Sequence, residues 1–251
     1  MSERKGSTHK KLRLVLAIIL AVVIVCAGAF AVYVNDYYRA EETAVQAMAV
    51  DGAVSVYELT DSLTVFAPEE PLAGLIFYPG GKVEHTAYAP LLRTCAERGI
   101  LCVLVQMPCN LAVLNVNGAD GIHERFPEIS HWYIGGHSLG GAMAASYASG
   151  HVNELDGVVL LAAYSTEDLT QSGLAVCSIY GSEDGVMNKE KYDASKANLP
   201  DDAVEFVIVG GCHAGFGCYG PQDGDGTPQI SSEDQINQTV GEIIRMVGHR
   251  G

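Results

Sequence analysis

The chain has 251 residues, with 15 Lys+Arg against 30 Asp+Glu and a formal net charge of −15. That length suits one α/β domain or two small ones, and a hydrophobic share of 48% excludes wholesale disorder. The acidity excludes a general nucleic-acid binder, because phosphates repel it.

The charge is uneven along the chain. Arg4, Lys5, Lys10, Lys11 and Arg13 face a lone acid, Glu3, in the first 34 residues, which leaves 10 basic and 29 acidic residues, a charge of −19, on 35–251. Residues 1–11 read as a basic cytoplasmic stub. Between Arg13 and Asn35 runs LVLAIILAVVIVCAGAFAVYV, 21 residues without a charge. As a helix it crosses a hydrocarbon core of about 30 Å, so 12–34 read as a transmembrane anchor. A signal peptide is the other reading, since Ala27-Gly28-Ala29 and Ala29-Phe30-Ala31 both fit a small-x-small cleavage site. Cleavage would give a secreted body. The one-sided basic flank puts the N-terminus in the cytoplasm and the body on the extracytoplasmic side.

Residues 35–53 read as a juxtamembrane connector with helical character, and 54–251 as one domain. Val54–Leu59 and Leu63–Ala67 predict an antiparallel pair of strands. Leu75–Tyr78 is a buried strand closed by Pro79-Gly80-Gly81, and Thr86–Arg98 is helical with Gly99 as its stop. Ile100–Gln106 is a second buried strand, and Leu111–Arg125 has moderate helical character weakened by Gly118 and Gly121. A short strand at Trp132–Gly135 precedes a small-residue helix at Leu139–Ser149. Gly157–Ala163, Ala175–Tyr180 and Val204–Val209 are three more buried strands, and Asp234–His249 is an amphipathic helix. Strands apolar on both faces and alternating with helices imply an α/β fold, a mostly parallel sheet covered on both sides.

The specific motif is Gly136-His137-Ser138-Leu139-Gly140, between a strand and a helix. A nucleophile on a sharp strand-to-helix turn needs small neighbours two residues before and after it. The competing explanation is a serine that simply caps a helix. In a parallel sheet, reactive groups gather at the strands' C-terminal ends. Asp184 stands four residues beyond the strand ending at Tyr180, and His213 four beyond the one ending at Val209. Asp156, Asp201, Asp202 and His131 precede strands, and His151 and His249 end helices, so all fall on the opposite edge. His85 comes before the nucleophile, and Glu183 is the nearest rival to Asp184.

These residues resemble the α/β-hydrolase superfamily, and among it the compact group related to dienelactone hydrolases. The likeness rests on the elbow, Tyr78-Pro79-Gly80-Gly81, Gly181-Ser182-Glu183-Asp184 and Gly211-Cys212-His213, and spans about 54–249. The order Ser, Asp, His is that of this fold. Dienelactone hydrolases themselves use a cysteine nucleophile, where this chain has Ser138. The expectation is a serine hydrolase without a large cap, cleaving an ester, thioester or lactone through Ser138, His213 and Asp184. The oxyanion donors are the amides of Leu139 and of Gly81, with Lys82 the alternative to Gly81. Lys82 and His137, beside these groups, are expected to contact a small acyl substrate. A peptidase, or a non-catalytic binding protein on the same fold, is the contrasting reading.

No cofactor is implied. Pro79-Gly80-Gly81-Lys82 lacks the length and the Lys-Ser/Thr pair of a phosphate-binding loop. C-x-x-C and H-E-x-x-H do not occur, so zinc is not indicated. Asp223 and Asp225 invite a calcium site, which Pro228 opposes. Cys212 and Cys218 bracket His213 and could form a bridge.

Overall fold

A computed structural model describes residues 3–49 and 52–248. It divides into two compact units, 1–37 and 38–251.

The first unit is helix α1 (Glu3–Asn35). Its stretch Lys10–Asn35 is long and apolar enough to span a membrane, and none of it is buried in the protein. At 1.5 Å per residue these 26 residues reach about 39 Å.

The second unit holds helices α2 (Glu42–Ala47), α3 (Ala89–Glu97), α4 (Leu139–Gly150), α5 (Lys189–Ser195) and α6 (Ser232–Gly248). Its strands are β1 (Val54–Thr60), β2 (Leu63–Pro68), β3 (Ala73–Tyr78), β4 (Ile100–Val105), β5 (Trp132–His137), β6 (Gly157–Leu161), β7 (Ala175–Gly181) and β8 (Val204–Ile208). They form one sheet in the order β1-β2-β4-β3-β5-β6-β7-β8. The hairpin β1–β2 is antiparallel, β2 runs antiparallel to β4, and every other pairing is parallel.

The alternation of side chains across the sheet sorts the core into two layers. Leu75, Phe77, Cys102 and Leu104 join Leu91 and Leu92 of α3 and Ile236, Val240 and Ile243 of α6. Ile76, Tyr78, Leu101 and Val103 join Ala144, Ala145 and Ala148 of α4. The small residues of α4 let that helix lie close against the strands.

Four expectations need correction. The helix expected over Leu111–Arg125 is two short 3-10 turns, Ala112–Leu114 and His123–Arg125. Cys109 and Asn110 are both left-handed (φ 53° and 54°), and Gly121 is too (φ 67°), so no helix can run through. The helix expected over Thr86–Arg98 begins as a 3-10 turn, and α3 proper starts one residue before Pro90. Strand β8 is only partly buried: it is the sheet's edge, with Val204 51% exposed while Ile208 is in the core. Helix α5 was not foreseen; Asn188 caps it by accepting from the Lys191 amide (2.8 Å). The C-terminal helix is described to Gly248, and His249 lies outside the described residues.

Candidate active site

The strand-to-helix turn after β5 is built as a nucleophile needs it. Ser138 has φ 52° and ψ −121°, a region that non-glycine residues avoid. Glycine is required around it because backbones converge there. A Cβ on Gly136 would lie 2.6 Å from the carbonyl oxygen of Tyr78, and one on Gly140 would strike the carbonyls of Tyr78 and Pro79. The serine makes no side-chain cap to α4, so capping does not explain it.

The loops after β7 and β8 bring Asp184 and His213 together. His213 Nδ1 donates to Asp184 Oδ2 at 2.8 Å, and the two side chains are 1% and 2% exposed. Asp184 Oδ1 accepts from the amides of Val186 (2.9 Å) and Met187 (2.8 Å), which fixes the carboxylate's orientation. Glu183 turns elsewhere and accepts from the Ser182 hydroxyl (2.8 Å). His213 Nε2 is buried and has no hydrogen-bond partner among the described residues. Ser138 Oγ makes no hydrogen bond to it here; contacts of this kind tighten when substrate binds.

Leu139 opens α4, and its amide has no acceptor among the described residues, nor has that of Gly81. Gly81 and Leu139 are neighbours: a Cβ on Gly81 would lie 3.0 Å from Leu139 Cδ2. Lys82 is left-handed (φ 59°) and spends its amide on the Asn110 carbonyl (2.8 Å). The Lys82 amide is thus engaged, whereas among the described residues that of Gly81 is not.

His137, expected to contact substrate, lies inside the protein. It is 1% exposed, and its Nδ1 lies 2.7 Å from the Tyr88 hydroxyl. The same hydroxyl accepts from the Gly80 amide (3.0 Å), so one tyrosine ties the loop after β3 to the end of β5, next to Ser138. The His137 ring packs against His213, centroids 4.5 Å apart. Burial holds His137 well below the usual imidazole range, and the charge of His213 adds to this, against a smaller pull from the His213 backbone. His137 thus stays neutral beside a group that can charge.

Three further groups make hydrogen bonds around the site, and the sequence pointed to only one of them, Asp225, and then as a calcium candidate. Tyr88 is one. Gln235 of α6 is another: buried, it accepts from the Cys212 amide (3.0 Å) and donates to the Cys212 carbonyl (2.8 Å), holding the base loop from behind. Its position on the apolar face of an amphipathic helix was the available clue. Asp225 is the third. Its carboxylate accepts from the backbone amides of His213, Ala214, Gly185 and Gly226, and no cluster of three candidate metal ligands surrounds it among the described residues. Cys212 and Cys218 are free thiols, not a bridge. Burial pushes the Cys212 thiol up to about 11, with Asp225 contributing.

The arrangement can therefore present a strained serine, an imidazole with a free buried Nε2, an oriented carboxylate and two free amides at one sheet edge. Residues 162–174, between β6 and β7, contain no helix among the described residues, so no cap rises there.

Three solved structures share the fold. TT1662 from Thermus thermophilus is 16% identical, with a TM-score of 0.57 over 77% of this chain and 98% of its own. Est1E from Butyrivibrio proteoclasticus is 12% identical, with a TM-score of 0.56 over 78% and 100%. MGS-MChE2, an alpha/beta hydrolase enzyme from a sediment metagenome of the Mar Chica lagoon, Morocco, is 15% identical, with a TM-score of 0.56 over 76% and 97%. No curated protein matches the sequence. The sequence pattern of the alpha/beta hydrolase family matches residues 74–237, well over half the chain, and the chain belongs to that family.

Proposed function

We propose that this hydrolase is a serine esterase working through an acyl-enzyme. The supporting observation is the 2.8 Å pairing of His213 with Asp184 on the same sheet edge as a serine held at φ 52°. With its Nδ1–H retained and hydrogen-bonded to the carboxylate, the neutral ring keeps its lone pair on Nε2. That nitrogen takes the Ser138 proton as Oγ attacks the substrate carbonyl. The tetrahedral oxyanion receives the amides of Leu139 and Gly81. His213 then gives its proton to the leaving alkoxide, and water repeats the sequence to release the acid. Asp184 holds the ring's tautomer and stabilises imidazolium without itself being protonated. The lack of a cap over 162–174 favours a small ester, thioester or lactone over a long enclosed ligand.

The same reading makes α1 an uncleaved anchor with the catalytic unit on the extracytoplasmic side, supported by the basic flank before it and the uninterrupted apolar span.

The test is labelling of the full-length protein with a fluorophosphonate probe. The wild type should label and Ser138→Ala should not. No labelling of the wild type, or equal labelling of both, rejects the proposal. Short chromogenic esters of increasing acyl length then define the substrate.

A further inference from the structure

Asp225 lies 12 residues beyond His213, on a loop outside the proposed triad. Its Oδ1 accepts from the amides of Gly185 (3.1 Å), His213 (3.1 Å) and Gly226 (2.9 Å), and its Oδ2 from Ala214 (2.8 Å). One half-buried carboxylate thereby joins three chain segments: the loop after β7 that carries Asp184, the loop after β8 that carries His213, and its own.

The backbones of the first and third segments also interlock. A Cβ on Gly185 would lie 2.5 Å from the Gly224 carbonyl oxygen and 3.0 Å from the Gly226 nitrogen. A Cβ on Gly226 would strike the Glu183 carbonyl. No side chain fits at either crossing, so the segment 224–226 lies as a strap directly on the loop of the catalytic acid.

We propose that Asp225 is a positioning residue, which locks the loop of Asp184 to the loop of His213 and so sets the geometry of the His213–Asp184 pair. The proposal rests on the triad reading for its catalytic meaning. The chemistry selects aspartate. Four N–H donors converge on both oxygens, and an ionised carboxylate is acceptor only, whereas an asparagine would aim donors at one of them. Burial raises the Asp225 carboxyl, but the amides of Ala214, Gly185, His213 and Gly226 outweigh it and hold it below the usual carboxylate range. The carboxylate stays charged at neutral pH, so the lock is permanent there. The requirement for it follows from the sheet: β7 and β8 are neighbours, but β8 is the edge strand, and a loop leaving an edge has support on one side only. Gln235 supplies that support from α6, and Asp225 supplies it from the side of the acid.

The test compares Asp225→Asn with the wild type as full-length proteins in detergent, by turnover of a short chromogenic ester and by the downfield imidazole N–H proton signal of His213. The expected result is a folded variant whose kcat falls about 100-fold while KM changes by less than about threefold. The N–H signal should be lost or displaced. A variant with wild-type kcat and an unchanged signal, merely melting at a lower temperature, overturns the proposal. If Asp225→Asn does not fold, Gly185→Ala perturbs the same crossing from the acid's side, and unchanged kcat and signal there overturn it equally. If the wild type neither hydrolyses esters nor labels with fluorophosphonate, the esterase reading fails, and the N–H signal still decides whether Asp225 sets the His213–Asp184 pair.

Discussion

A hydroxyl becomes a nucleophile only when a neutral nitrogen stands ready for its proton, and in the proposed mechanism His213 does this with Nε2, which is unpartnered while Asp184 holds the opposite side of the ring. Asp184→Asn preserves the shape but favours the wrong tautomer, so kcat should fall by about 10⁴. Glu183→Gln should stay near wild type, since Glu183 only accepts from Ser182. Assayed side by side, equal losses would contradict the assignment. His137 supplies a prediction about stability. Burial and the charge of His213 hold it neutral in the folded state, while the unfolded chain protonates it near about pH 6.5. Below that pH the unfolded state binds a proton that the folded state refuses, so stability falls as pH drops. The denaturation midpoint of His137→Gln should depend less steeply on pH between about 5 and 7, and parallel slopes would clear His137 of that role. That Ser138, Asp184 and His213 share one sheet edge was legible because each follows a strand. The hydrogen bonds of Tyr88 and Asp225 were not, because they depend on which distant groups the fold brings near them.

Elements were legible where hydrophobic period and burial agree. Strands β3 and β4 are wholly buried and read as unbroken apolar runs. Strand β8 is apolar in sequence but for Glu205, and its place at the edge depends on the order of the sheet, which no local pattern contains. The segment between β4 and β5 misled because Val113 and Leu114 suggest a helix's apolar face, while the left-handed pair Cys109 and Asn110 turns the chain away. The 3-10 turn before α3 matters for function, since it presents Tyr88 to both Gly80 and His137. Tyr88→Phe removes that shared hydroxyl and leaves two buried polar groups unpaired. It should cost about 1–3 kcal/mol of stability by chemical denaturation and slow acylation by loosening the oxyanion loop. A variant with wild-type stability and acylation rate would show that the Tyr88 hydroxyl does not hold the loop.

For the whole molecule, the question is where the catalytic unit begins. Charge and hydropathy separate a spanning segment from an acidic body, and protease added to intact cells should remove the body if it faces outward; full protection would contradict that topology. The sequence suggests a connector to residue 53, whereas the compact unit starts at Tyr38. Short polar segments lack any periodic signal, so their docking cannot be read ahead of the fold. Tyr38 pairs with the loop after β3, its amide donating to the Lys82 carbonyl (2.8 Å) and its carbonyl accepting from the Glu84 amide (2.9 Å). The Ala40 amide donates to Glu84 (3.0 Å), the Glu41 amide to the Cys218 carbonyl (2.9 Å), and Ala44 is fully buried. These contacts brace the loops on either side of the serine. A chain trimmed to 38–251 should therefore remain folded without detergent and keep the kcat of the full-length protein. One trimmed to 54–251 loses these four hydrogen bonds, and also those from Arg93 to the Ala49 carbonyl and from the Asp223 amide to the Tyr38 hydroxyl, each worth roughly 1 kcal/mol or less, and should melt earlier with a lower kcat. Equal stability and turnover of the two trimmed chains would show that residues 38–53 are a passive tether after all.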